Sequence, residues 1–330
     1  MRNILYYNID DNLDYENRIL SEKGITDLKL IEVKDPDRRT PLYEIINKND
    51  IEGIVVEYDK ITDELMEKCP SLKIVSLQSI GYNNVDIESA TRHSVLVCNI
   101  PGFCADEVAL HTIGFMLDLT RSITFLDRTV QAGKWDPLLS YPMHRLRDKV
   151  FGMVFFGEIP KRIVPILHAF GMKIMVYAPT KTKEYLSEYG CKKAESLDQL
   201  LSSSDYVSLH CPLIPGVTEH MISDREFDLM KPDAFFINTS RGAVVDEPAL
   251  VRALKEKKIL AAAIDVIEDE INENSDLFGL ENCIMTPHSA FLSEDSFYEA
   301  RERCLSHLIE CLSEKGTGKY NSLVNKELLE

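Results

Sequence analysis

The sequence is poor in positive charge, and this deficit excludes several kinds of partner. Lys and Arg number 37 against 54 Asp and Glu, which gives a formal net charge of −17. Such a surface repels nucleic acid and anionic membranes. An anionic substrate would then need a local cation of its own. We therefore expect a small-molecule partner, with neither a nucleic acid nor a membrane.

Long apolar runs and paired cysteines are missing as well. No uninterrupted apolar stretch approaches membrane-spanning length, and the opening MRNILYYNIDDN turns acidic too early for a signal peptide. The eight cysteines are scattered without a C-x-x-C pair, which favours buried, reduced thiols over disulfides or a zinc site. These features predict a cytoplasmic protein that holds no metal.

The sequence does contain an alternation of short apolar runs with helix-like segments. NILYYNI, LKLIEV, IEGIVVE, LKIVSLQS and VLVCNI form a first series, and VFGMVFF, KIMVYA, YVSLHC, AFFINT, AAAIDVI and CIMTPH form a second. Alternation of this kind predicts parallel sheets with crossover helices. Two series in 330 residues predict an α/β protein with two doubly wound parallel-sheet domains.

A long helix-like segment separates the two series. ADEVALHTIGFMLDLTRSITFLDRTVQAGKW, residues 105–135, carries apolar side chains on more than one face. Gly133 and the region of Pro137 mark its expected end. A helix of this kind is usually buried against a second domain or a second subunit, so we predict one long interface helix.

Three polar side chains lie just past predicted strands of the second series. Arg241 follows AFFINT, Glu270 follows AAAIDVI, and His288 ends CIMTPH. Open α/β sheets bind ligands at the carboxyl ends of their strands. A guanidinium binds a carboxylate in bidentate fashion, and an imidazole beside a carboxylate transfers a proton near neutral pH. The three suit reduction of a 2-oxo acid, although each alone also suits an ion pair or a backbone contact.

Several segments together resemble the D-isomer-specific 2-hydroxyacid dehydrogenase family. SRGAVVDEPAL, DVIEDE and TPHSAF are similar to its catalytic segments, in the same order, and LQSIGYNNVDIESATRHSVLVCNIPGFCADEVALHTIGFMLDLTR resembles the segment that joins its domains. The resemblance implies that Arg241, Glu270 and His288 are catalytic and that backbone groups of Ile80 and Gly81 bind the substrate carboxylate. CNIPGF and HSAFLSE are similar to the branch that contains the C-terminal binding proteins.

The resemblance also implies the architecture. We expect a flavodoxin-like substrate domain from residues 1–100 plus 292–330 and a Rossmann-like dinucleotide-binding domain from residues 101–291. Members of the family commonly form homodimers through the cofactor domain. Aromatic candidates for lining the substrate pocket, each of which also suits core packing, are Tyr58, Tyr82, Phe103 and Phe291.

The turn that should bind the diphosphate of a cofactor is poor in glycine. In the family this turn reads G-x-G-x-x-G, and FFGEIP places Phe155, Gly157 and Pro160 on the three glycine positions. Phe155 adds a bulky side chain, and Pro160 supplies no N–H. Pro165 predicts a kinked helix or one that begins about a turn later. Glu158 adds negative charge, which the two cations that follow it are placed to offset.

A second departure concerns the ribose of the cofactor. Ala178 stands where the second strand of the family domain ends in an acid that bonds the ribose hydroxyls. Thr180, Lys181 and Lys183 then suit a 2′-phosphate, which favours NADP slightly over NAD, or they form a solvated loop. The other cofactor contacts, carried over from the family or lying in the altered turn, are Gly157, Glu158, Ile159, His210, Cys211, Pro212, Thr239 and Asp265.

Three functional hypotheses remain open. The first, which we favour, is an oxidoreductase that transfers a hydride between NAD(P) and a small 2-hydroxy or 2-oxo acid. The second is a redox-neutral enzyme that uses the same Arg, Glu and His site on such an acid and needs no dinucleotide. The third is a non-catalytic regulator similar to the C-terminal binding proteins.

Overall fold

The computed structural model describes residues 1–9, 12–270, 274–320 and 322–328. The chain forms two compact units, Met1–Phe103 with Ser293–Glu330 as unit 1 and Cys104–Leu292 as unit 2. Each unit is built around a parallel sheet with connecting helices. The predicted pair of doubly wound α/β domains is confirmed.

Unit 1 contains a five-stranded parallel sheet. Its strands are β1 (Arg2–Tyr7), β2 (Leu28–Val33), β3 (Ile51–Val56), β4 (Ile74–Leu77) and β5 (Leu96–Cys98). Its helices are α1 (Asp14–Glu22), α2 (Leu42–Lys48), α3 (Asp63–Lys68), α4 (Ile87–Arg92) and, from the end of the chain, α12 (Glu294–Leu312). The strand order is β2-β1-β3-β4-β5.

A glycine lets the last helix of unit 1 lie directly on the sheet. A Cβ at Gly53 in β3 would lie 2.8 Å from Cδ1 of Leu312 in α12, so a larger residue would push the helix away. The same helix is tied to α1 by a buried ion pair, in which Arg301 Nε donates to Glu16 Oε1 at 2.7 Å. These contacts join the end of the chain to its beginning.

Unit 2 contains a seven-stranded parallel sheet. Two helices precede the sheet, α5 (Ala105–Arg121) and α6 (Ile123–Gln131). The remaining elements are β6 (Val150–Val154), α7 (Glu158–Ala169), β7 (Lys173–Tyr177), α8 (Lys183–Glu188), β8 (Lys192–Lys193), α9 (Leu197–Ser203), β9 (Tyr206–Leu209), α10 (Asp224–Leu229), β10 (Phe235–Asn238), α11 (Glu247–Lys255), β11 (Ala261–Ile264) and β12 (Cys283–Met285). The strand order is β12-β11-β10-β9-β6-β7-β8.

The strand order decides which loops of unit 2 are neighbours. β6 lies between β7 and β9, so the direction of winding reverses between β6 and β9. Ligands of doubly wound sheets bind at such a reversal, beyond the carboxyl ends of the strands. β10, β11 and β12 lie side by side with their last residues in register, because Asn238 pairs with Ile264 and Ile264 pairs with Met285. The loops that follow these three strands therefore leave from one edge.

The prediction of a single long helix before the second sheet is wrong. α5 and α6 are separated at Ser122, which adopts a left-handed φ of 52°. Asp118 holds this break, since its Oδ1 accepts a hydrogen bond from the backbone N–H of Thr124 at 2.8 Å. A polar side chain that hydrogen-bonds to the backbone competes with the hydrogen bonds of the helix. The spacing of apolar residues does not predict such a contact. Gly133, with a φ of 81°, does lie just past α6.

The structure also allows a search for membrane-spanning helices, metal-binding clusters and disulfide bonds. Among the helices in the described ranges, none is long and apolar enough to cross a membrane. Within those same ranges, no group of three or more His, Cys, Asp or Glu side chains could hold a metal ion. All eight cysteines are free, and all but Cys311 are buried. The cytoplasmic location stays a prediction.

Candidate active site

Arg241 lies in a tight turn that follows β10. The side chain of Asn238 is buried and organises the turn, because its Nδ2 donates to the carbonyl of Arg241 at 3.0 Å and its Oδ1 accepts from the N–H of Ser240 at 3.0 Å. The guanidinium donates from Nη1 to the carbonyl of Ser240 at 2.7 Å, its one hydrogen bond to the described residues. A guanidinium has five N–H donors, so within this part of the chain most of them are open to a ligand.

Gly242 brings the Arg241 turn against the loop that follows β11. A Cβ at Gly242 would lie 1.9 Å from the carbonyl oxygen of Ile267 and 2.7 Å from the backbone nitrogen of Glu268. Any side chain would force the two loops apart, so this approach requires glycine. The Arg241 turn is thus packed against the segment that leads to Glu270.

Glu270 and His288 form a direct pair. Glu270 Oε2 lies 2.8 Å from His288 Nδ1, and the two side chains are 37% and 30% exposed. A carboxylate in this position accepts the Nδ1 proton, which leaves Nε2 as the atom that faces other partners. His288 adopts a left-handed φ of 50°, an uncommon conformation for a residue with a side chain that is often found at functional sites.

Asp265 holds the loop that carries His288. Its buried carboxylate accepts hydrogen bonds from the N–H groups of Ser289 at 2.9 Å and Ala290 at 3.0 Å, and from Thr286 Oγ1 at 2.5 Å. The N–H of His288 donates to the carbonyl of Asp265 at 2.8 Å. The family resemblance predicts that Asp265 contacts the cofactor, and in the structure its carboxylate bonds the histidine loop.

A second histidine supports this loop and was missed at the level of sequence. His111 in α5 has its Nε2 3.0 Å from Thr286 Oγ1 and 3.8 Å from Asp265 Oδ1. Burial lowers the pKa of His111, and the charge of Asp265 opposes that shift. His111 and Thr286 are 175 positions apart, so no local pattern signals their contact.

The strand end beside the reversal of the sheet carries a histidine with an unsatisfied nitrogen. His210 Nδ1 is buried and has no hydrogen-bond partner among the described residues, whereas His210 Nε2 lies 3.0 Å from Ser208 Oγ. Burial lowers the pKa of His210 to about 3, so its ring is neutral at physiological pH. Burial also raises the pKa of the neighbouring Cys211 to about 11. An unpaired buried nitrogen marks a position where a ligand atom would be stabilised.

Two further predicted cofactor contacts lie at strand ends, as expected, and also stabilise their own loops. The carbonyl of Pro212 accepts a hydrogen bond from Thr218 Oγ1 at 2.6 Å. Thr239 Oγ1 lies 3.0 Å from Thr112 Oγ1 of α5. Both residues therefore border the same carboxyl edge of the sheet.

The turn after β6 has one of the three glycines of a glycine-rich turn, and its first position has a backbone conformation that favours glycine. Phe155, at the first glycine position, adopts a left-handed φ of 72°, which costs a residue with a Cβ about 1–2 kcal/mol. A Cβ added at Gly157 would meet no atom within 4 Å, so open space adjoins the middle position. α7 begins at Glu158 and continues through Pro165. Of the two predicted alternatives, the helix that starts a turn later is wrong, and the kink stays a prediction.

The helix tolerates Pro165 because its apolar face is well buried. Ile163, Val164 and Leu167 are buried in the core of the unit, and Ile159 packs against the same core from a half-buried position. An interior proline costs about 3 kcal/mol, whereas each large apolar side chain stabilises by about 1.5–3 kcal/mol when buried. Packing therefore outweighs the local penalty and fixes the helix start beside the turn.

The negative charge of Glu158 is balanced within the first turn of α7. Lys161 Nζ donates to Glu158 Oε1 at 2.7 Å, and Arg162 Nη1 lies 3.3 Å from Glu158 Oε2. The hydrogen bond from Lys161 lowers the pKa of the Glu158 carboxyl. The carboxylate thus opposes a nearby anion less than its position in the sequence suggests.

Lysine side chains lie close together beyond β7. Ala178, at the end of this strand, is buried and offers no carboxylate. Lys181 Nζ lies 5.2 Å from the centre of the Tyr185 ring. A hydrogen bond with Tyr189 lowers the pKa of Tyr185, and Lys161 and Lys181 lower it further. Two ammonium groups therefore lie close to one phenol, and the exposed Thr180 precedes Lys181.

In unit 1, the loop after β4 has the features of an anion site. Asn99 Nδ2 donates to the carbonyl of Ile80 at 2.7 Å, and Ser79 Oγ donates to the carbonyl of Gly81 at 2.7 Å. In the described part of the chain, the N–H groups of Ile80 and Gly81 have no backbone partner. Consecutive unpaired N–H groups bind anions. Among the predicted aromatic residues of this unit, Tyr82 is 44% exposed and Phe103 is 8% exposed.

Phe291 lies beside the histidine of unit 2. The centres of the Phe291 and His288 rings are 6.1 Å apart, with the rings nearly perpendicular. This is a usual geometry for aromatic neighbours, and it places an apolar surface next to the imidazole.

These features define the class of dinucleotide-binding dehydrogenases. They are a doubly wound sheet, a turn and helix where its winding reverses, and a histidine–carboxylate pair next to an arginine turn. Residues 113–290 match the family model for the D-isomer specific 2-hydroxyacid dehydrogenase, NAD binding domain. The chain belongs to the D-isomer-specific 2-hydroxyacid dehydrogenase family, and unit 2 contains its NAD-binding domain.

Named relatives cover nearly the whole chain. A glyoxylate reductase of Thermococcus litoralis is 37% identical over 326 residues, 94% of this chain and 96% of the relative. The D-lactate dehydrogenase of Aquifex aeolicus, solved with NAD and lactic acid, is 30% identical, with a TM-score of 0.80 over 92% of this chain and 94% of that chain. An acyclic imino acid reductase solved with NADPH and D-arginine is 28% identical, with a TM-score of 0.78 over 93% and 95% of the two chains.

Proposed function

We propose that this protein is a nicotinamide-dependent oxidoreductase that interconverts a small 2-oxo acid and its 2-hydroxy acid. The proposal is carried by the 2.8 Å contact between Glu270 Oε2 and His288 Nδ1 on the sheet edge from which the Arg241 turn also leaves. Loops after three neighbouring strands supply a cation for the acid and a proton donor for the ketone. The chemistry of these groups matches the family.

Each of the three residues has a separate role in the proposal. Arg241 binds the substrate carboxylate and polarises the ketone oxygen through its N–H donors. His288 Nε2 gives a proton to the developing alkoxide in reduction and takes it back in oxidation. Glu270 holds the imidazole tautomer and stabilises its charged form. A bound nicotinamide supplies or accepts the hydride.

We assign further substrate contacts to backbone and aromatic groups. The N–H groups of Ile80 and Gly81 suit a carboxylate because neither has a backbone partner in the described ranges. Tyr82, Phe103 and Phe291 are assigned to the side chain of the acid, although Phe103 is itself buried. Two of the named relatives act on or bind small acids, glyoxylate and lactic acid, so we propose a substrate of similar size.

The residues at the reversal of the sheet fit a dinucleotide. Open space adjoins Gly157, His210 Nδ1 lacks a partner among the described residues, and Phe155 has the left-handed φ that favours glycine. These three observations favour a bound cofactor over a redox-neutral enzyme. We assign the diphosphate to Gly157, Glu158 and Ile159, and the nicotinamide half to His210, Cys211, Pro212, Thr239 and the loop that Asp265 holds.

We further propose that NADPH binds more tightly than NADH. Ala178 offers no carboxylate to the ribose, and Thr180, Lys181 and Lys183 lie just beyond it, with Thr180 and Lys183 exposed. We assign these three residues to the 2′-phosphate. Charged donors bind phosphate strongly. Equal affinities for the two nucleotides would show instead that these lysines are only solvated.

We also propose a homodimer through unit 2. The segment of residues 123–139 exposes Ile123, Trp135 and Leu138 at 58%, 89% and 87%, and α6 has no buried residue. Clustered exposed apolar side chains mark interaction surfaces. Trp135 is the single tryptophan of the chain, so its fluorescence reports on this surface. When dilution dissociates the dimer and the measured mass falls to that of one chain, the emission of Trp135 should shift to longer wavelength. Unchanged emission across that transition would contradict the proposed surface.

A direct titration tests the function and separates it from its alternatives. NADH and NADPH are each added to the wild-type protein while nicotinamide fluorescence is followed, and glyoxylate or pyruvate is then supplied. We expect both nucleotides to bind and the acid to cause their oxidation. Failure of both to bind at millimolar concentration would favour the redox-neutral enzyme. Binding without turnover of any acid would favour a regulator of the C-terminal binding protein type.

A further inference from the structure

His220 contacts both of the loops that present Arg241 and Glu270. It lies after β9, and its backbone N–H donates to the carbonyl of Ala243 at 2.8 Å, two residues past Arg241. Its Nε2 lies 2.9 Å from Glu268 Oε1, two residues before Glu270. We infer that His220 is a positioning residue, which holds the arginine turn and the glutamate loop in register for catalysis. The inference rests on the proposed function.

The carboxylate that His220 bonds is itself anchored to the start of α11. The N–H of Glu247 donates to Glu268 Oε1 at 3.0 Å, and the N–H of Glu268 donates to Glu247 Oε2 at 3.0 Å. Ser275 Oγ donates to Glu247 Oε1 at 2.5 Å. The two carboxylates repel one another, and the imidazole offers Glu268 a side-chain donor. Without it, we expect Glu268 to move away from Glu247 and to carry Glu270 with it.

The effect of such a movement is not confined to one loop. The Gly242 turn approaches Ile267 and Glu268 so closely that no side chain fits between them. A shift of the glutamate loop therefore displaces the arginine turn as well. A misplacement of about 1 Å in a catalytic group costs up to about 100-fold in rate. His220 reaches both elements without lying on either, so it affects Arg241 and Glu270 together.

The interaction needs a donor and not a charge. A neutral imidazole with its proton on Nε2 already donates to Glu268, and a glutamine amide placed at the same distance from the backbone does the same. His220 has a left-handed φ of 47°, and this backbone cost is shared by any substituted residue other than glycine or asparagine. His220→Gln therefore serves as the rescue variant for His220→Ala.

Steady-state kinetics of the full-length protein test the inference. The matched control is His93→Ala, because His93 Nε2 lies 2.9 Å from Asp63 Oδ1 in unit 1 with the same chemistry and no catalytic loop. We expect His220→Ala to lower kcat about tenfold and to raise KM for the acid several-fold. The KM for NADPH and the melting temperature should match the control. His220→Gln should recover most of the lost activity.

Two results would overturn the inference while the proposed function stands. One is a His220→Ala protein with wild-type kcat and KM, and the other is a His220→Gln protein as impaired as the alanine variant. If His220→Ala does not fold, His220→Asn replaces it, because the shorter amide does not reach Glu268. Equal activity of the His220→Asn and His220→Gln proteins would then refute the positioning role. A wild-type protein without turnover of any acid would refute the proposed function itself, and the inference with it.

Discussion

The loops after β10, β11 and β12 carry the arginine, glutamate and histidine that the family resemblance predicts, whereas the turn after β6 has one of the three predicted glycines. In the first region, the proposed roles of Arg241, Glu270 and His288 depend on their functional groups. At the second, Phe155 adopts a φ of 72° and stands where glycine is expected. If the proposed function holds, proton transfer constrains side-chain chemistry in the first region, and phosphate binding constrains main-chain conformation in the second.

The largest effect should come from the arginine of the first region. Arg241→Ala removes the cation that binds the carboxylate and polarises the ketone, so we expect kcat/KM to fall at least about a thousandfold. Initial rates of NADPH oxidation by glyoxylate measure it. Arg252→Ala is the matched control, because Arg252 forms a surface ion pair with Asp224 at 2.6 Å and should change the rate less than about twofold. Similar rates for both variants would remove Arg241 from the site.

A smaller loss is expected from the carboxylate beside the histidine. Glu270→Gln keeps an oxygen near His288 Nδ1 but cannot stabilise a charged imidazole, so kcat should fall about a hundredfold with little change in KM. The same assay measures it, with the exposed Glu281→Gln as control. If KM rises and kcat holds, Glu270 binds substrate and does not assist proton transfer.

The second region should respond in the opposite direction. Phe155→Gly relieves a left-handed strain of about 1–2 kcal/mol and opens the turn, so we expect NADPH to bind about three- to tenfold more tightly. Lys257→Gly, at an exposed residue of unit 2 with a φ of 58°, relieves similar strain elsewhere and should leave binding unchanged. Weaker binding by Phe155→Gly would mean that the phenyl ring itself contacts the cofactor.

The smallest effect concerns stability in acid and compares the two units. Burial lowers the pKa of His210 in unit 2 to about 3 and that of His307 in unit 1 to about 4. The unfolded chain binds these protons below about pH 6.5, so stability is full above that pH and is lost as the pH falls. By about pH 5.5 each histidine should lower the unfolding free energy by about 1 kcal/mol.

Urea unfolding at about pH 7.5 and about pH 5.5 measures this loss. His210→Asn and His307→Asn should each show a smaller decrease than the wild-type protein, because a residue that does not titrate has no linked protons. A decrease of the same size in both variants would assign the acid sensitivity to other groups. His111, whose pKa burial also lowers, is then the next residue to replace.

The fold was largely predictable because strand periodicity and strand ends are local features. Each of the eleven apolar runs became a strand, and β8 was missed because its two residues are both lysines. The break at Ser122 was not predictable from apolar spacing, since it depends on the bond between Asp118 and Thr124. α7 begins at Glu158, directly after the turn, because buried side chains outweigh the cost of Pro165.

The sequence indicates the candidate site residues more clearly than it indicates their surroundings. Arg241, Glu270 and His288 follow strands and lie in recognisable sequence segments. His111 and His220 contact residues that are distant in the sequence, so no local pattern predicts their contacts. The sequence pattern does not signal the left-handed φ of Phe155 or of His288 either.

The central claim is that Arg241, Glu270 and His288 act together in the reduction of a 2-oxo acid by a bound nicotinamide. The most direct measurement is the rate of NADPH oxidation by glyoxylate for the wild-type protein and for His288→Gln, with NADPH affinity measured in parallel. We expect turnover in the wild type, a loss of about a thousandfold in the variant, and equal NADPH binding. Equal rates in the two proteins would contradict the claim.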